Sequence, residues 1–494
     1  MTVVLASRFD ITPEAVLAVA WRGEPVAIDA AALSGITESR ASFVRYLDED
    51  PNASVYGVNR GHGEMVGRTL DEEDRRRLAR LKPLAAAVAF GEPYPRRVTR
   101  AMTLARLANL LGGHGMATPR LVEALVGMLN RGPIPCVPRQ GQGGPGEILV
   151  LYTLFAALSE RLELQAAERG ALINGSPAAA AVLADAALTA ERRVAVAEEV
   201  LALAIVAFNA PAEHYETVLG ELLGGAHDRR AFARLAALLD GMTDCGEPRP
   251  HQGPVSYRIV PHVLAQAHAA IGFAQELAVQ SLSAVTHNPV YLAPDETHSR
   301  GRCLSTGGFH NSVAAPAMDG IAGAWADLCL LCLRLCAGLM NGRVSGFPDF
   351  LLAGRGAGET DGHGAVGYLP MAIAGFLEEA RAAATRTFIP AADASVFGQD
   401  DVGAPAFLAW PKCMAAGQSL DSALAVLAVA ASQALHVQSR ERVPNRLADL
   451  LALVHNRVPP VEGDRVLGPE MQRLAGDLTA RTFADDRVGQ GVRA

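Results

Sequence analysis

Apolar side chains recur every three or four residues along most of the chain, which is the spacing of one face of an α-helix. One such stripe consists of Leu121, Leu125, Met128 and Leu129. Before it, Thr118 is a favourable N-cap and Pro119 suits the first helical position, while Gly132 stands where a helix C-cap is expected. This segment therefore predicts one amphipathic helix.

Two further stripes have the same spacing. One consists of Leu104, Leu107 and Leu111 and stops at Gly112-Gly113; the other consists of Leu420, Leu424, Leu427 and Leu435. Alternating β patterns are few and short, and no repeat of roughly 20–50 residues is visible. We therefore predict an all-α protein with long helices, forming a single unit over residues 1–494.

Composition narrows the class of protein. Of 494 residues, 50% are hydrophobic and 19% are charged, which excludes a disordered chain and favours an oligomer. The net charge of -8 argues against a nucleic-acid partner. The most apolar windows are Val200–Ala210, too short to span a membrane, and Ile321–Met340, which carries Asp327 and Arg334. Since no signal peptide is evident, we predict a cytoplasmic protein with no membrane partner.

Two sequence features suggest sites but have simpler explanations. The glycine-rich run 141–147 lacks the Lys-Ser/Thr ending of a phosphate loop, so it predicts a turn, with Glu147 at the start of a helix where a carboxylate is favourable. Cys329, Cys332 and Cys336 have metal-ligand spacing but mostly apolar neighbours. We interpret them as core cysteines and predict no metal site.

Two polar residues stand in segments that suit chemistry. Tyr56 lies among glycines in the segment Val55–Gly63, where a general base or hydrogen-bond donor has access. Arg258 ends the segment Gln252–Arg258, and its guanidinium is suited to bind a carboxylate through two parallel hydrogen bonds. An ordinary surface ion pair is the alternative for Arg258, and the spacing does not separate the two.

Taken in order, these segments resemble the aromatic amino acid lyases, a family that includes histidine, phenylalanine and tyrosine ammonia-lyases and their aminomutase relatives. The matching segments are Val55–Gly63, Gly91–Pro95, Arg120–Asn130, Val137-Pro138, Ala171–Gly175, Gln252–Pro261, His287–Pro289, Ser305–His310 and Phe397–Asp401. The resemblance covers roughly residues 10–410. It implies a long central helix bundle, with residues 1–200 as an N-terminal part and residues 201–494 as the bundle and C-terminal helices.

The chain departs from the family at the position of its electrophile. The family forms the MIO group from an internal Ala-Ser-Gly, whereas this chain has Pro145, Gly146 and Glu147 there. Gly146 has no hydroxyl to lose, so we predict that MIO does not form and that no cofactor is present. Other departures are Ala86, Gly253, Val255, His287 and Gly308.

The resemblance implies roles for the positions that are kept. Tyr56 matches the family's base, Asn174 its contact to the substrate amine, and Arg258 its carboxylate contact. Gln399 is kept, and Asp400 replaces a Glu. We predict Tyr56, Glu147 and Asp400 as catalytic residues, and as substrate-binding residues Asn174, Arg258, Gln399, His62 and His262. The roles of Arg60, His62, His262 and His287 stay open.

The sequence leads to one hypothesis and two alternatives. The leading hypothesis is an enzyme of the ammonia-lyase type that acts without MIO on a small amino-acid-like carboxylate, by elimination, addition or a related acid–base step. The first alternative is an inactive homologue that binds a ligand or a partner. The second is an ordinary aromatic amino acid or histidine ammonia-lyase. The resemblance also implies a homotetramer whose active sites are shared between subunits.

Overall fold

The computed structural model describes most of the chain. The described residues are 1–49, 53–61, 65–80, 84–114, 116–165, 167–245, 252–352, 365–391, 398, 401–440 and 442–483. Among the predicted site residues, His62, Gln399 and Asp400 lie outside these ranges.

Helices make up most of the described structure. In chain order they are α1 (Pro13–Val16), α2 (Ala30–Glu49), α3 (Glu72–Arg80), α4 (Arg96–Leu111), α5 (Pro119–Asn130), α6 (Ile148–Arg161), α7 (Glu168–Ile173), α8 (Pro177–Phe208), α9 (Thr217–Leu223), α10 (Ala226–Leu238), α11 (Val255–Arg258), α12 (Val260–Ser283), α13 (Ala314–Met340), α14 (Gly342–Ser345), α15 (Leu369–Ala383), α16 (Ala406–Val437), α17 (Ala448–Arg457) and α18 (Gly468–Phe483). A π-helical turn, Leu17–Trp21, follows α1. The predicted all-α class is confirmed.

The strands are short and form two separate pairs. Strand β1 (Val3–Leu5) pairs in parallel with β2 (Val26–Ile28). Strand β3 (Val290–Leu292) pairs antiparallel with β4 (Arg302–Leu304). Each strand has only three residues, so these pairs brace loops between helices and do not form a layer of the fold.

The described chain divides into two compact units. The first consists of residues 1–188, 274–318 and 386–411, and the second of residues 189–273, 319–385 and 412–494. Each unit is built from discontinuous segments. The prediction of a single unit over residues 1–494, divided near residue 200, stays a prediction.

The predicted helix signals agree with the observed helices. The Thr118 side chain accepts a hydrogen bond from the Leu121 backbone N–H, and the predicted apolar stripe of α5 is buried. One detail was wrong: the C-cap of α5 is Arg131, and Gly132 is the residue after it. Helix α4 ends at Leu111 with Gly112 as its C-cap, as the stripe predicted.

One argument against membrane spans was wrong. The window Val200–Ala210 belongs to the 32-residue helix α8, so length does not exclude a span. In the described chain, three stretches are long and apolar enough to cross a membrane. The most apolar window of each stretch is largely buried inside the structure: 89% of it in Glu168–Phe208, 61% in Ala314–Met340 and 83% in Ala406–Val437. Burial against protein accounts for the apolar composition of these helices.

The cysteines of α13 lie in the core of the second unit. Cys329, Cys332 and Cys336 are fully buried. Burial raises the pKa of Cys329 and Cys336 to about 12. A thiolate is the form that binds a metal or attacks an electrophile, so these thiols are inert packing groups.

Candidate active site

The glycine-rich run ends in a tight approach to another loop. Gly146 adopts a φ of +55°, in the left-handed region. A Cβ on this residue would lie 3.1 Å from the Phe309 ring. Both the backbone conformation and the neighbouring ring therefore favour glycine at position 146.

Glu147 follows and is buried, with 3% of its surface exposed. Its Oε2 accepts the Ala178 N–H at 2.6 Å, and its Oε1 accepts the Ala179 N–H at 2.5 Å. Both donors lie in the first turn of α8, whose N–H groups lack intrahelical partners. The carboxylate was expected to favour the helix that starts at Ile148; it caps α8, and α6 receives no side-chain cap from it.

Arg106 on α4 is the cation beside Glu147. It is fully buried, and its Nη2 donates to the Asn174 carbonyl at 2.6 Å while Nη1 donates to Asn109 Oδ1 at 3.3 Å. Burial raises the pKa of Glu147, and the two backbone N–H groups and Arg106 oppose that rise. Burial likewise lowers the pKa of Arg106, and Glu147 opposes the fall. The opposite charges of the two buried groups thus stabilise each other, and the hydrogen bond from Arg106 to Asn174 connects α4 to the turn before α8.

Asn174 lies in the turn between α7 and α8. Its Nδ2 donates to the Asn288 carbonyl at 2.8 Å, and its Oδ1 accepts the Gly175 N–H at 3.0 Å. Gly175 has a φ of +97°, and a Cβ there would lie 2.9 Å from Thr286 Oγ1. The same hydroxyl oxygen accepts the Ser176 N–H at 2.9 Å. The turn that carries Asn174 is thus fixed against the segment 286–288.

His287 belongs to the same buried network. Its Nε2 lies 3.2 Å from the Asn109 carbonyl, so the ring is the donor in this hydrogen bond. Burial, together with the charge of Arg106, lowers the pKa of His287 to about 3. The imidazole is therefore neutral near pH 7 and acts as a structural donor.

The loop that carries Tyr56 is held by its neighbours. Asn59 Oδ1 accepts the Val55 N–H at 2.7 Å, and Asn59 Nδ2 donates to the Ala53 carbonyl at 2.6 Å. Val55 and Val58 pack in one cluster with Tyr291. Tyr56 itself is half-buried. Since Tyr291 lies three residues after Asn288, the Tyr56 loop and the Asn174 turn contact the same stretch of chain.

Two predicted substrate-binding residues belong to the second unit. Arg258 ends α11, and its Nε donates to the Gly253 carbonyl at 3.1 Å. His214 Nε2 accepts the Gly253 N–H at 3.2 Å, and the pKa of His214 is lowered, mainly by burial. Arg258 is thus oriented by its own loop. His262 is exposed, and the edge of its ring contacts Phe232.

In the first unit, the loop of Tyr56 packs against Tyr291 and the side chain of Asn174 donates to Asn288. Among the described residues, no hydrogen bond joins the side chains of Tyr56, Asn174 and Glu147, so their convergence on one pocket stays a prediction. Their predicted convergence with Arg258 stays a prediction as well.

Arg106 was missed by the sequence reasoning. The stripe offered no signal, because Arg106 lies away from the face of Leu104, Leu107 and Leu111, where a polar residue is expected; in the structure α4 is buried on that face too.

Comparison with known proteins identifies relatives along the whole chain. The family model described as aromatic amino acid lyase matches residues 11–159 and 152–456. A histidine ammonia-lyase of Anaeromyxobacter dehalogenans is 29% identical over 96% of this chain and 98% of that protein. A histidine ammonia-lyase of Geobacillus thermodenitrificans is 28% identical over 94% of this chain and 95% of that protein.

Solved structures share the fold. An ergothionase of Treponema denticola, described as an ergothioneine-degrading enzyme and solved with desmethyl-ergothioneine sulfonic acid, superposes with a TM-score of 0.89 at 17% identity, covering 98% of this chain and 100% of that one. Histidine ammonia-lyase of Trypanosoma cruzi gives a TM-score of 0.81 at 21% identity, covering 99% of this chain and 96% of that one.

Proposed function

The chain belongs to the aromatic amino acid lyase family, and we propose that it is a lyase that acts without MIO on a small amino-acid-like carboxylate. The observation that carries this proposal is the loop 145–147. MIO formation needs a serine hydroxyl at its centre, and Gly146 has none. The next residue, Glu147, is committed to the N-terminus of α8 through both carboxylate oxygens. These residues do not fit the prosthetic group.

The missing electrophile limits the reaction. An uncharged amine would have to leave as an amide anion, and a primary ammonium group becomes uncharged when it loses a proton, so an elimination at this site favours a nitrogen whose positive charge is permanent. A trimethylammonium group has no N–H to lose and always leaves as a neutral amine. Ergothioneine, which the structurally similar ergothionase degrades, is a betaine with such a group. We therefore propose a betaine, an amino-acid-like carboxylate with a quaternary nitrogen, as the substrate class.

The proposed reaction is a β-elimination that needs no oxidant, reductant or cofactor. A base removes the proton on the carbon β to the carboxylate, the electron pair forms the new C=C bond, and the C–N bond breaks. Trimethylamine leaves as a neutral molecule and an α,β-unsaturated carboxylate remains. Tyr56 is the proposed base, and Arg258 is the proposed carboxylate contact, because its Nε is already fixed on Gly253.

Among the remaining predicted residues, the structure supports roles for Glu147 and Asn174, whereas the others have support from the sequence only. We propose that Glu147 holds the start of α8 and, through Arg106, the Asn174 turn, and that this ordering is its contribution to the site. Asn174 is proposed to face the nitrogen end of the substrate. The roles proposed for Asp400, Gln399, His62 and His262 rest on the sequence alone.

We also propose a cytoplasmic homotetramer with active sites shared between subunits. Apolar side chains on α12 support an interface, since Phe273 is 54% exposed and Val279 is 46% exposed. Contiguous apolar patches on a surface mark contacts with another protein chain, and these two side chains are candidates for such a patch. A second copy of this chain would cover them.

Paired substrates test the proposed function. Histidine and its N,N,N-trimethyl betaine differ only in the leaving group, and both would give the same unsaturated acid, which is followed by its ultraviolet absorbance. The proposal predicts turnover of the betaine and none of histidine. Turnover of histidine would favour an ordinary ammonia-lyase. If neither histidine nor any betaine in a panel with aromatic and aliphatic side chains is turned over, the inactive homologue is favoured.

A further inference from the structure

An arginine-rich pocket lies in the first unit, on residues that the proposed active site does not use. Its volume is about 390 Å³. Its lining includes five arginines, Arg22, Arg96, Arg97, Arg100 and Arg131, and no Asp or Glu. We call it the arginine pocket.

Three structural elements supply the arginines. The first turn and a half of α4 supplies Arg96, Arg97 and Arg100. Arg22 follows the π-helical turn, and Arg131 follows the last residue of α5. The N-cap of α4 is a proline that makes no side-chain capping hydrogen bond. The positive end of a 16-residue helix thus adds to the charge of the guanidinium groups.

Two of the arginines form a fixed wall. Arg100 is 6% exposed, and it donates to the Val19 carbonyl at 3.0 and 2.8 Å and to the Leu129 carbonyl at 2.8 Å. Arg97 binds Asp185 with both Nε and Nη2, at 2.8 and 3.3 Å, and its guanidinium lies 5.0 Å from the centre of the Trp21 ring. These groups are held before any ligand arrives.

The other side of the pocket is open and positively charged. Arg96 and Arg131 are exposed. Burial lowers the pKa of Arg100, and the like charge of Arg96 adds to that fall. Asp185 offsets the charge of Arg97. Cations held close together repel one another, so an anion bound among them is favoured.

We propose that the arginine pocket binds a multiply charged phosphate anion, at a site distinct from the proposed active site. One carboxylate is satisfied by a single guanidinium, whereas a phosphate group offers three acceptor oxygens and up to two charges to several guanidinium groups. The volume of about 390 Å³ lies in the range of small-ligand pockets. An organic di- or triphosphate therefore fits the pocket in both charge and size.

Pyrophosphate, titrated into the full-length protein at constant ionic strength in a calorimeter, tests the proposal. We expect a Kd below about 1 mM for the unmodified protein, a free energy that a few charge-assisted hydrogen bonds supply. The double variant Arg96→Gln/Arg131→Gln removes the two exposed arginines and should weaken binding about 10-fold or more. Inorganic phosphate should bind more weakly than pyrophosphate, since it carries less charge.

The matched control removes two positive charges elsewhere on the same unit. Arg76→Gln/Arg77→Gln changes two exposed arginines of α3 and should leave the Kd within about 2-fold. Absence of binding to the unmodified protein would overturn the proposal, and so would equal weakening in both double variants. Citrate that binds as tightly as pyrophosphate would overturn the assignment to phosphate. Phosphorus NMR of pyrophosphate with the unmodified protein is a readout that needs no variant: we expect line broadening, and an unchanged line contradicts the site.

Discussion

Replacing Glu147 by Gln tests whether this carboxylate holds the first turn of α8. The Glu147 oxygens accept two backbone N–H groups at 2.6 and 2.5 Å in a buried position. The side-chain amide of Gln has one oxygen that can accept one of these two N–H groups. Its NH2 group is a donor and cannot accept the other one. One hydrogen bond to a charged group, about 1.5–3 kcal/mol, is therefore lost, and the favourable charge at the helix N-terminus is lost with it. We expect Glu147→Gln to lower the free energy of unfolding by about 3 kcal/mol.

Urea unfolding followed by circular dichroism, at one fixed protomer concentration, measures this change. The control is Glu123→Gln on the exposed side of α5, which should change the free energy of unfolding by less than about 0.5 kcal/mol. If the two variants are equally stable, the carboxylate does not hold α8, and its assignment as a positioning group is wrong. A double-mutant cycle with Arg106→Met should give a coupling of about 0.5–3 kcal/mol, because the charge of each group acts on the other in the core.

Three further outcomes are expected. Tyr56→Phe should lower kcat at least about 100-fold, with the Kd of a non-reacting betaine analogue nearly unchanged by calorimetry, because only the proton acceptor is removed. Arg258→Lys keeps the charge and loses the planar fork, so kcat/KM should fall about 10-fold or more, whereas the same change at the exposed Arg229 should leave kcat/KM unaltered. Light scattering at micromolar concentration should give the mass of four chains, and the mass of one chain would contradict the proposed tetramer.

The sequence predicted the helices well because their signals are local. Thr118, Pro119 and the apolar stripe that follows them define α5 to within one residue at its C-terminal end. The burial of the cysteines of α13 was also predicted, because a helix that is apolar on all sides over several turns is buried together with its cysteines. The membrane argument from Val200–Ala210 failed because a hydrophobic window does not mark where a helix ends; α8 extends from Pro177.

The site was harder to predict because its interactions join distant segments. The sequence placed Glu147 at the start of a helix, and its carboxylate contacts residues 31 and 32 positions later in the chain. The role of His287 was left open, and in the structure its Nε2 contacts the Asn109 carbonyl, 178 positions away. No local pattern contains such partners. Arg106 gave no local signal either, because it lies away from the apolar stripe of α4 and its burial comes from other segments packed around the helix.

The peptide that contains residues 145–147 tests the central claim most directly. High-resolution mass spectrometry of this peptide, from protein with confirmed lyase activity, shows whether Pro145-Gly146-Glu147 stays an ordinary stretch of chain. The account predicts the unmodified mass, because Gly146 has no hydroxyl to eliminate. A mass lower by two water molecules, localised to these three residues, would show that the chain cyclises and dehydrates there, and would contradict a lyase that acts without MIO.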